Sequence, residues 1–375
     1  MNHAKRALLA LFLTCLVVCN VPTTAQTWSQ LVTVGSPPGG PAVTAYDPVN
    51  NLLIALFASP SGAQVWVLSY ANGLGGTPTW SQLAPSGSAP VPTGEETAVY
   101  DPVSNQLIVH GGCSASCGSP LPTVSVLSYA NGLGGTPVWV QSVTSPSLAR
   151  EAQSAVYNPA TRRLVSFAGG LAYFGSDQND TSVLQPANGA FSNWTTLTPS
   201  GSPPGIREGQ TAIYDQKHNI MTVFGGDQAV STCCPYNVFT YDDTWVLTNA
   251  DGSAAGAPTW TQLSPTGGPP PARTLHSAVY DSGKNTMYIY GGLLWSNATQ
   301  NNTILGDIWK LTNADGRAAA TPKWTQVGQL GTPPGASFSQ GMAIDEVNQR
   351  IIVVAGRDRN YQNDSVTFIL DLLRN

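Results

Sequence analysis

The sequence predicts an all-β protein built as a closed ring of six four-stranded blades, and three observations predict it. A segment of the type Ala-Val-Tyr-Asp recurs with its aromatic at Tyr46, Tyr100, Tyr157, Tyr214 and Tyr280, and with Ile344 before Asp345 in a sixth copy. A tryptophan heading a polar and apolar alternation recurs six times, at Trp28, Trp80, Trp139, Trp194, Trp260 and Trp324. No stretch keeps a 3.6-residue apolar period over a helical length, whereas short alternating runs bounded by Gly, Pro and Asn fill the chain. The copies of the first segment stand 54, 57, 57, 66 and 64 residues apart, and residues 67–78 and 126–137 both read VLSYANGLGGTP. Repetition at that period is the mark of an array whose units bury one another's faces.

The composition narrows the class of function. Among 375 residues, 42% are apolar and 10% charged, with 38 Gly, 29 Pro and a net charge of −5. Charge this far below the usual ~25% excludes a coiled coil or a solvated tail. The absence of a basic excess removes the means of neutralising a phosphate backbone, so no nucleic-acid partner is expected.

The first element is not part of the ring. Lys5 and Arg6 precede an apolar run from Ala7 to Val18, and Thr23-Thr24-Ala25 offers small residues for cleavage before Gln26. Residues 1–25 therefore read as a secretory signal peptide and 26–375 as the propeller, secreted or periplasmic, with no transmembrane segment. Leu16-Val17-Val18-Cys19 faintly resembles a lipoprotein box, which makes anchoring at Cys19 the minor alternative. Removal of the signal leaves Cys113, Cys117, Cys233 and Cys234, and export favours disulfides. Cys113 and Cys117 share one short loop and are expected to pair, and no His near either pair suggests zinc.

Each repeat then yields four strands. In the fifth, His276 to Tyr280 is strand a, Thr286 to Tyr290 strand b, Asp307 to Leu311 strand c and Trp324 to Val327 strand d. The a–b links Asp47 to Asn51 and Asp101 to Asn105 are turn sequences, and Asn219 and Asn285 hold the matching place, where a short side chain tolerates a left-handed backbone. Small residues such as Thr97-Ala98 and Ser277-Ala278 put strand a at the crowded axis. The last repeat supplies a (Gly341 to Asp345), b (Arg350 to Gly356) and c (Ser365 to Asp371) and then stops. Trp28 to Val32, orphaned at the mature N-terminus, is expected to complete it and seal the ring.

The pattern Pro270, Arg273, His276, Ala278, then Gly291-Gly292, then Asp307, Trp309 and Trp324 resembles the kelch repeat. Gly225-Gly226 with Asp243 and Trp245 follows it closely, Gly111-Gly112 and Gly169-Gly170 more loosely, and the first repeat has Ala58-Ser59 instead. The resemblance implies a six-bladed kelch-type propeller; the family includes enzymes, glycan binders and interaction scaffolds, so it leaves function open. Glycine pairs and tryptophans read as packing devices, and Asp243 and Asp307 as caps on nearby backbone amides.

No catalytic set emerges. A copper site of the galactose-oxidase type needs two His near two Tyr, but His110 lies in a strand b and His218 in an a–b turn, away from His276. No metal and no cofactor is expected. The d–a and b–c loops share one face, which gathers Arg150, Arg207 and Arg273, with Glu151 and Glu208 beside two of them, and the loop aromatics Tyr173, Tyr236, Trp295 and Tyr361. Guanidinium forks and sugar-stacking rings there suggest an exported, monomeric, non-catalytic module binding a glycan or a protein. The alternatives are that the arginines brace blades and the rings pack down, or that an Arg and Glu pair at the axial mouth serves a sugar-active isomerase, lyase or oxidase.

Overall fold

The structure is a computed structural model that describes residues 26–59, 62–90, 95–113, 119–145, 148–171, 176–187, 190–231, 237–317 and 319–373. Six antiparallel sheets surround an axis, with strands a at Ala42–Asp47, Glu96–Asp101, Ser154–Asn158, Thr211–Asp215, Ser277–Asp281 and Gly341–Asp345. Each innermost strand neighbours the next, and the strands at Gly341–Asp345 and Ala42–Asp47 close the circle. The expected strand positions hold to within three residues in the fifth and sixth blades.

The sixth blade is made of both ends of the chain. Gln26–Gln30 pairs antiparallel with Asn363–Asp371, in the register Trp28 opposite Leu370. The strand begins two residues earlier than the sequence suggests, because Gln26 and Thr27 also pair in parallel with Gln329 and Leu330 on their outer side. Closure by hydrogen bonds leaves no open sheet edge at the seam.

Why the repeat has its spacing is visible at both ends of each blade. In the a–b turns, Asn51, Asn105, Asn219 and Asn285 adopt φ of 53, 51, 55 and 48°. The hydroxyls of Tyr46, Tyr100, Tyr214 and Tyr280 each donate to that Asn five residues on, at 2.9–3.1 Å. The recurring tyrosine thus fixes the turn that returns the chain as strand b. At the far end of strand b the chain meets the next blade: the Gly226 amide donates to the Arg273 carbonyl and the Gly292 amide to that of Ser337, at 2.9 and 2.8 Å. A Cβ on Gly225 or Gly291 would stand 2.6 and 2.4 Å from those carbonyl oxygens, and both residues have φ near +70°. Glycine is required there. In the third blade the same inter-blade bond comes from Gly169 to the Arg207 carbonyl, so Ala168-Gly169, rather than Gly169-Gly170, occupies the glycine-pair position.

The hydrophobic core lies between blades. The tryptophan of strand d packs on a strand-b ring of the preceding blade: Trp324 on Phe224 and Trp260 on Phe167 at 4.9 Å, Trp28 on Tyr290 at 5.7 Å. Two features escape the repeat pattern. The b–c loops of blades four and five rise as extra hairpins, Asp227–Ser231 with Asn237–Thr240 and Leu293–Ser296 with Asn301–Ile304.

The seam yields a prediction. Trp28 is 1% exposed, whereas Val32 is 83% exposed. Trp28→Ala should cost ~3–5 kcal/mol in urea unfolding, and Val32→Ala less than ~0.5 kcal/mol. A Trp28→Ala protein as stable as the parent would refute the closure.

Candidate functional site

The arginines on the d–a loops are fully engaged inside the blades. Arg207, 0% exposed, donates through Nη1 and Nη2 to both oxygens of Asp243 at 2.7 and 2.9 Å, through Nη1 to the Gly225 carbonyl at 2.9 Å and through Nε to the Gly205 carbonyl at 3.0 Å. Its guanidinium also lies 4.0 Å from the Tyr241 ring centroid. Arg273 repeats this on Asp307, Gly291 and Pro271, and Arg150 forks onto Asp180 at 3.0 and 3.1 Å. The forks clamp the d–a loop to the head of strand c in the same blade. Asp243 and Asp307 therefore hold arginines, and accept from the Trp245 and Trp309 indoles at 2.7 and 2.6 Å, instead of capping backbone. Arg150, Arg207 and Arg273 share a face as expected, but their forks are directed into the protein and not at a ligand.

What faces the axial mouth is the residue after each arginine, or after Ser337 at the matching place in the sixth blade. Glu151, Glu208, Thr274 and Phe338 bridge by backbone to Gly170, Asp227, Leu293 and Arg357 of the same blade's b–c loop. The side chains so placed divide the mouth. Over blades two to four it carries Glu95, Glu151, Asp177, Glu208 and Asp227; over blades five and six it carries Leu293, Phe338 and Arg357. Burial, followed by mutual repulsion, pushes Glu95 and Glu151 up to about 7 and holds Glu208 well above the ordinary range. Burial likewise takes Asp227 up to about 7, against a 3.0 Å bond donated by Thr274, and raises Asp177, which accepts from the Ala229 amide at 3.1 Å. Glu151 Oε2 and Asp177 Oδ1 are buried and accept no hydrogen bond from the described residues. Such atoms are costly unless a ligand answers them.

The aromatic candidates fare unevenly. Tyr173 and Tyr236 lie outside the described residues, as does Cys117, the expected partner of Cys113. Tyr361, 50% exposed, stands edge-on to Phe338 at 5.4 Å, and its hydroxyl accepts from Asn302 Nδ2 at 3.2 Å. The Trp295 indole donates to Asn297 Oδ1 at 2.9 Å, and the Asn297 amide in turn pairs with both backbone groups of Val238 at 3.0 Å. These bonds join the raised hairpins of blades four and five to blade six as one wall, on which Phe239 is 58% exposed. The sequence reading passed over Asp177 and Asp227, since an acid in a b–c loop carries no repeat signature; the only hint was Asp227 standing directly after a glycine pair.

A family model described as the KLHDC2/KLHL20/DRC7 Kelch-repeats domain matches residues 153–374. The chain belongs to the kelch-repeat family. Among curated proteins it is similar to host cell factor homolog hcf-1 of Caenorhabditis elegans, 30% identical over 176 residues, or 44% of this chain and 20% of that protein. Kelch domain-containing protein 3 of Rattus norvegicus is 30% identical over 119 residues, or 31% of this chain and 27% of that protein. The matches thus span about a fifth to about a quarter of those relatives. Among solved structures, one described as "Structure of YjhT" shares the fold with a TM-score of 0.64 at 12% identity, covering 90% of this chain and 96% of its own.

The acids of this kelch mouth make stability depend on pH. Glu151 titrates at 4.5 ordinarily and at about 7 here. Below 4.5 both folded and unfolded states hold the proton and nothing is lost; between 4.5 and about 7 only the unfolded state ionises, so stability falls as pH rises. Glu151→Gln should leave the urea midpoint at pH 4 unchanged and stabilise the fold at pH 8 by ~1–3 kcal/mol. Equal effects at both pH values would show that Glu151 is not a strained acid.

Proposed function

We propose that this chain is an exported binding module that seats a cationic side chain of a protein partner in the acidic half of its axial mouth. The observation that carries the reading is the arc of Glu95, Glu151, Asp177, Glu208 and Asp227, with one oxygen each of Glu151 and Asp177 unanswered among the described residues. A lysine ammonium or arginine guanidinium entering the arc converts mutual repulsion into charge-assisted hydrogen bonds. The apolar wall of Phe239, Trp295 and Tyr361 then covers the flanking residues of the bound segment, as aromatic anchors do. The arginines do not offset this acidity, because they are neutralised within their own blades. Matches to kelch domain-containing proteins are in keeping with a binding role. The signal-like residues 1–25 support export. Export would oxidise the Cys113 and Cys117 pair. Non-reducing peptide mapping should recover Cys113 linked to Cys117; recovery of Cys113 with Cys233 sinks that pairing.

One observation favours a second reading, a sugar-active enzyme: acids held near 7 can give and take protons at neutral pH. A peptide and glycan array separates the two. Peptides with Lys or Arg should bind more tightly at pH 8 than at pH 6, since ionised acids bind cations. Acetylating the lysine or introducing Glu208→Gln should weaken binding at least ~10-fold, while Lys217→Ala on the opposite face leaves it unchanged. Preference for acidic ligands, or indifference to acetylation, refutes the cationic partner, and turnover of an arrayed sugar establishes the enzyme.

A further inference from the structure

At the opposite end of the ring, the a–b turn of one blade meets the turn after strand c of the next, and at three of these junctions an acid faces an amide. Asn72 Nδ2 donates to Asp345 Oδ2 at 2.6 Å and Asn131 Nδ2 to Asp47 Oδ2 at 2.8 Å. With the types exchanged, Asn158 Nδ2 donates to Asp251 Oδ2 at 2.7 Å. The junction of blades four and five departs from this rule. Asp215 faces Asp315, their side chains 8% and 5% exposed. Two buried carboxylates opposed in this way repel unless a cation stands between them.

The geometry shows where it would stand. The Oδ1 atoms are anchored: that of Asp215 accepts from the Lys217 amide at 3.0 Å, and that of Asp315 from Asn285 Nδ2 at 2.7 Å and the Arg317 amide at 3.0 Å. Both Oδ2 atoms address His218 Nδ1, at 2.5 Å from Asp215 and 3.8 Å from Asp315. Asp315 Oδ2 accepts no hydrogen bond from the described residues. The three atoms lie within 4.8 Å of one another, on the wall of a cavity of about 630 Å³ that also holds Tyr280 and Glu346.

We propose that Asp215, His218 and Asp315 form a binding site for a divalent metal ion of the zinc class. One imidazole nitrogen and two carboxylate oxygens are donors zinc accepts at ~2.0–2.2 Å, which sets tetrahedral neighbours roughly 3.3 Å apart. That spacing falls between the 2.5 and 3.8 Å seen here, so an ion entering lengthens one separation and shortens the other. The anchored Oδ1 atoms orient the ligands in advance, as outer-shell partners of metal sites do. Calcium and magnesium are disfavoured, because they call for six or more oxygens and the set includes a nitrogen. The remaining coordination position faces the cavity.

The test uses the full folded chain, freed of metal by a chelator and titrated calorimetrically with Zn²⁺, Ca²⁺ and Mg²⁺ at pH 7.5. One Zn²⁺ per chain should bind and raise the Tm. Asp315→Asn installs the acid and amide pair seen at three other junctions, so it should fold with a metal-free Tm at least equal to the parent's. It should also lose at least ~10-fold in Zn²⁺ affinity, as should His218→Ala. No saturable Zn²⁺, equal affinity for Ca²⁺, or undiminished Zn²⁺ binding by Asp315→Asn and His218→Ala would each overturn the site.

Discussion

Among the described residues, blades two to five of this ring are each held to the next by a backbone bond at the end of strand b, where the chain must bend with a left-handed conformation under the neighbour's carbonyl. The Gly112, Gly169, Gly226 and Gly292 amides make that bond to the carbonyls of Arg150, Arg207, Arg273 and Ser337. A side chain on Gly225 or Gly291 would collide with backbone, which cannot swing aside. The arginine whose carbonyl receives the bond is fixed from its other end by the carboxylate at the head of strand c. Position along the axis, blade spacing and the direction of the d–a loop all follow from this pair of constraints.

The charge of the face that carries the d–a and b–c loops is a consequence of the same clamp. Because the guanidinium turns inward, the next residue along turns toward the mouth. Glutamate at 151 and 208 therefore meets Asp177 and Asp227 in a partly dry space, and burial with mutual repulsion raises their pKa values. Where the next residue is Thr274 or Phe338 the mouth carries no acid from the d–a loop, and Leu293 and Arg357 stand opposite. A repeat scaffold gains a two-sided mouth in this way from substitutions that leave the clamp intact.

The opposite face obeys a second rule, in which one carboxylate is matched to one amide at a blade junction. Only against that regular background does the Asp215 and Asp315 pair stand out. The His218 ring between them is what an unbalanced junction requires, since two buried anions need a shared proton or an ion.

Periodicity is a property of the chain, and it determined what depends on periodicity. The spacing of Tyr46 through Tyr280, the six tryptophans and the missing last strand specified six blades and the seam at Trp28, because each is a local choice repeated until only a closed ring satisfies it. The resemblance carried by Gly291-Gly292, Asp307 and Trp324 named the family for the same reason. The function of an individual charged residue was not legible. Arg207 in sequence is a cation in a loop; whether its fork meets a ligand or Asp243, 36 residues away, depends on how the strand returns. Likewise Asp215 and Asp315 are ordinary turn acids until blades four and five bring them onto one imidazole. Charge pairing is settled by distances of a few ångströms between segments far apart in the chain, and those distances exist only once the ring has closed.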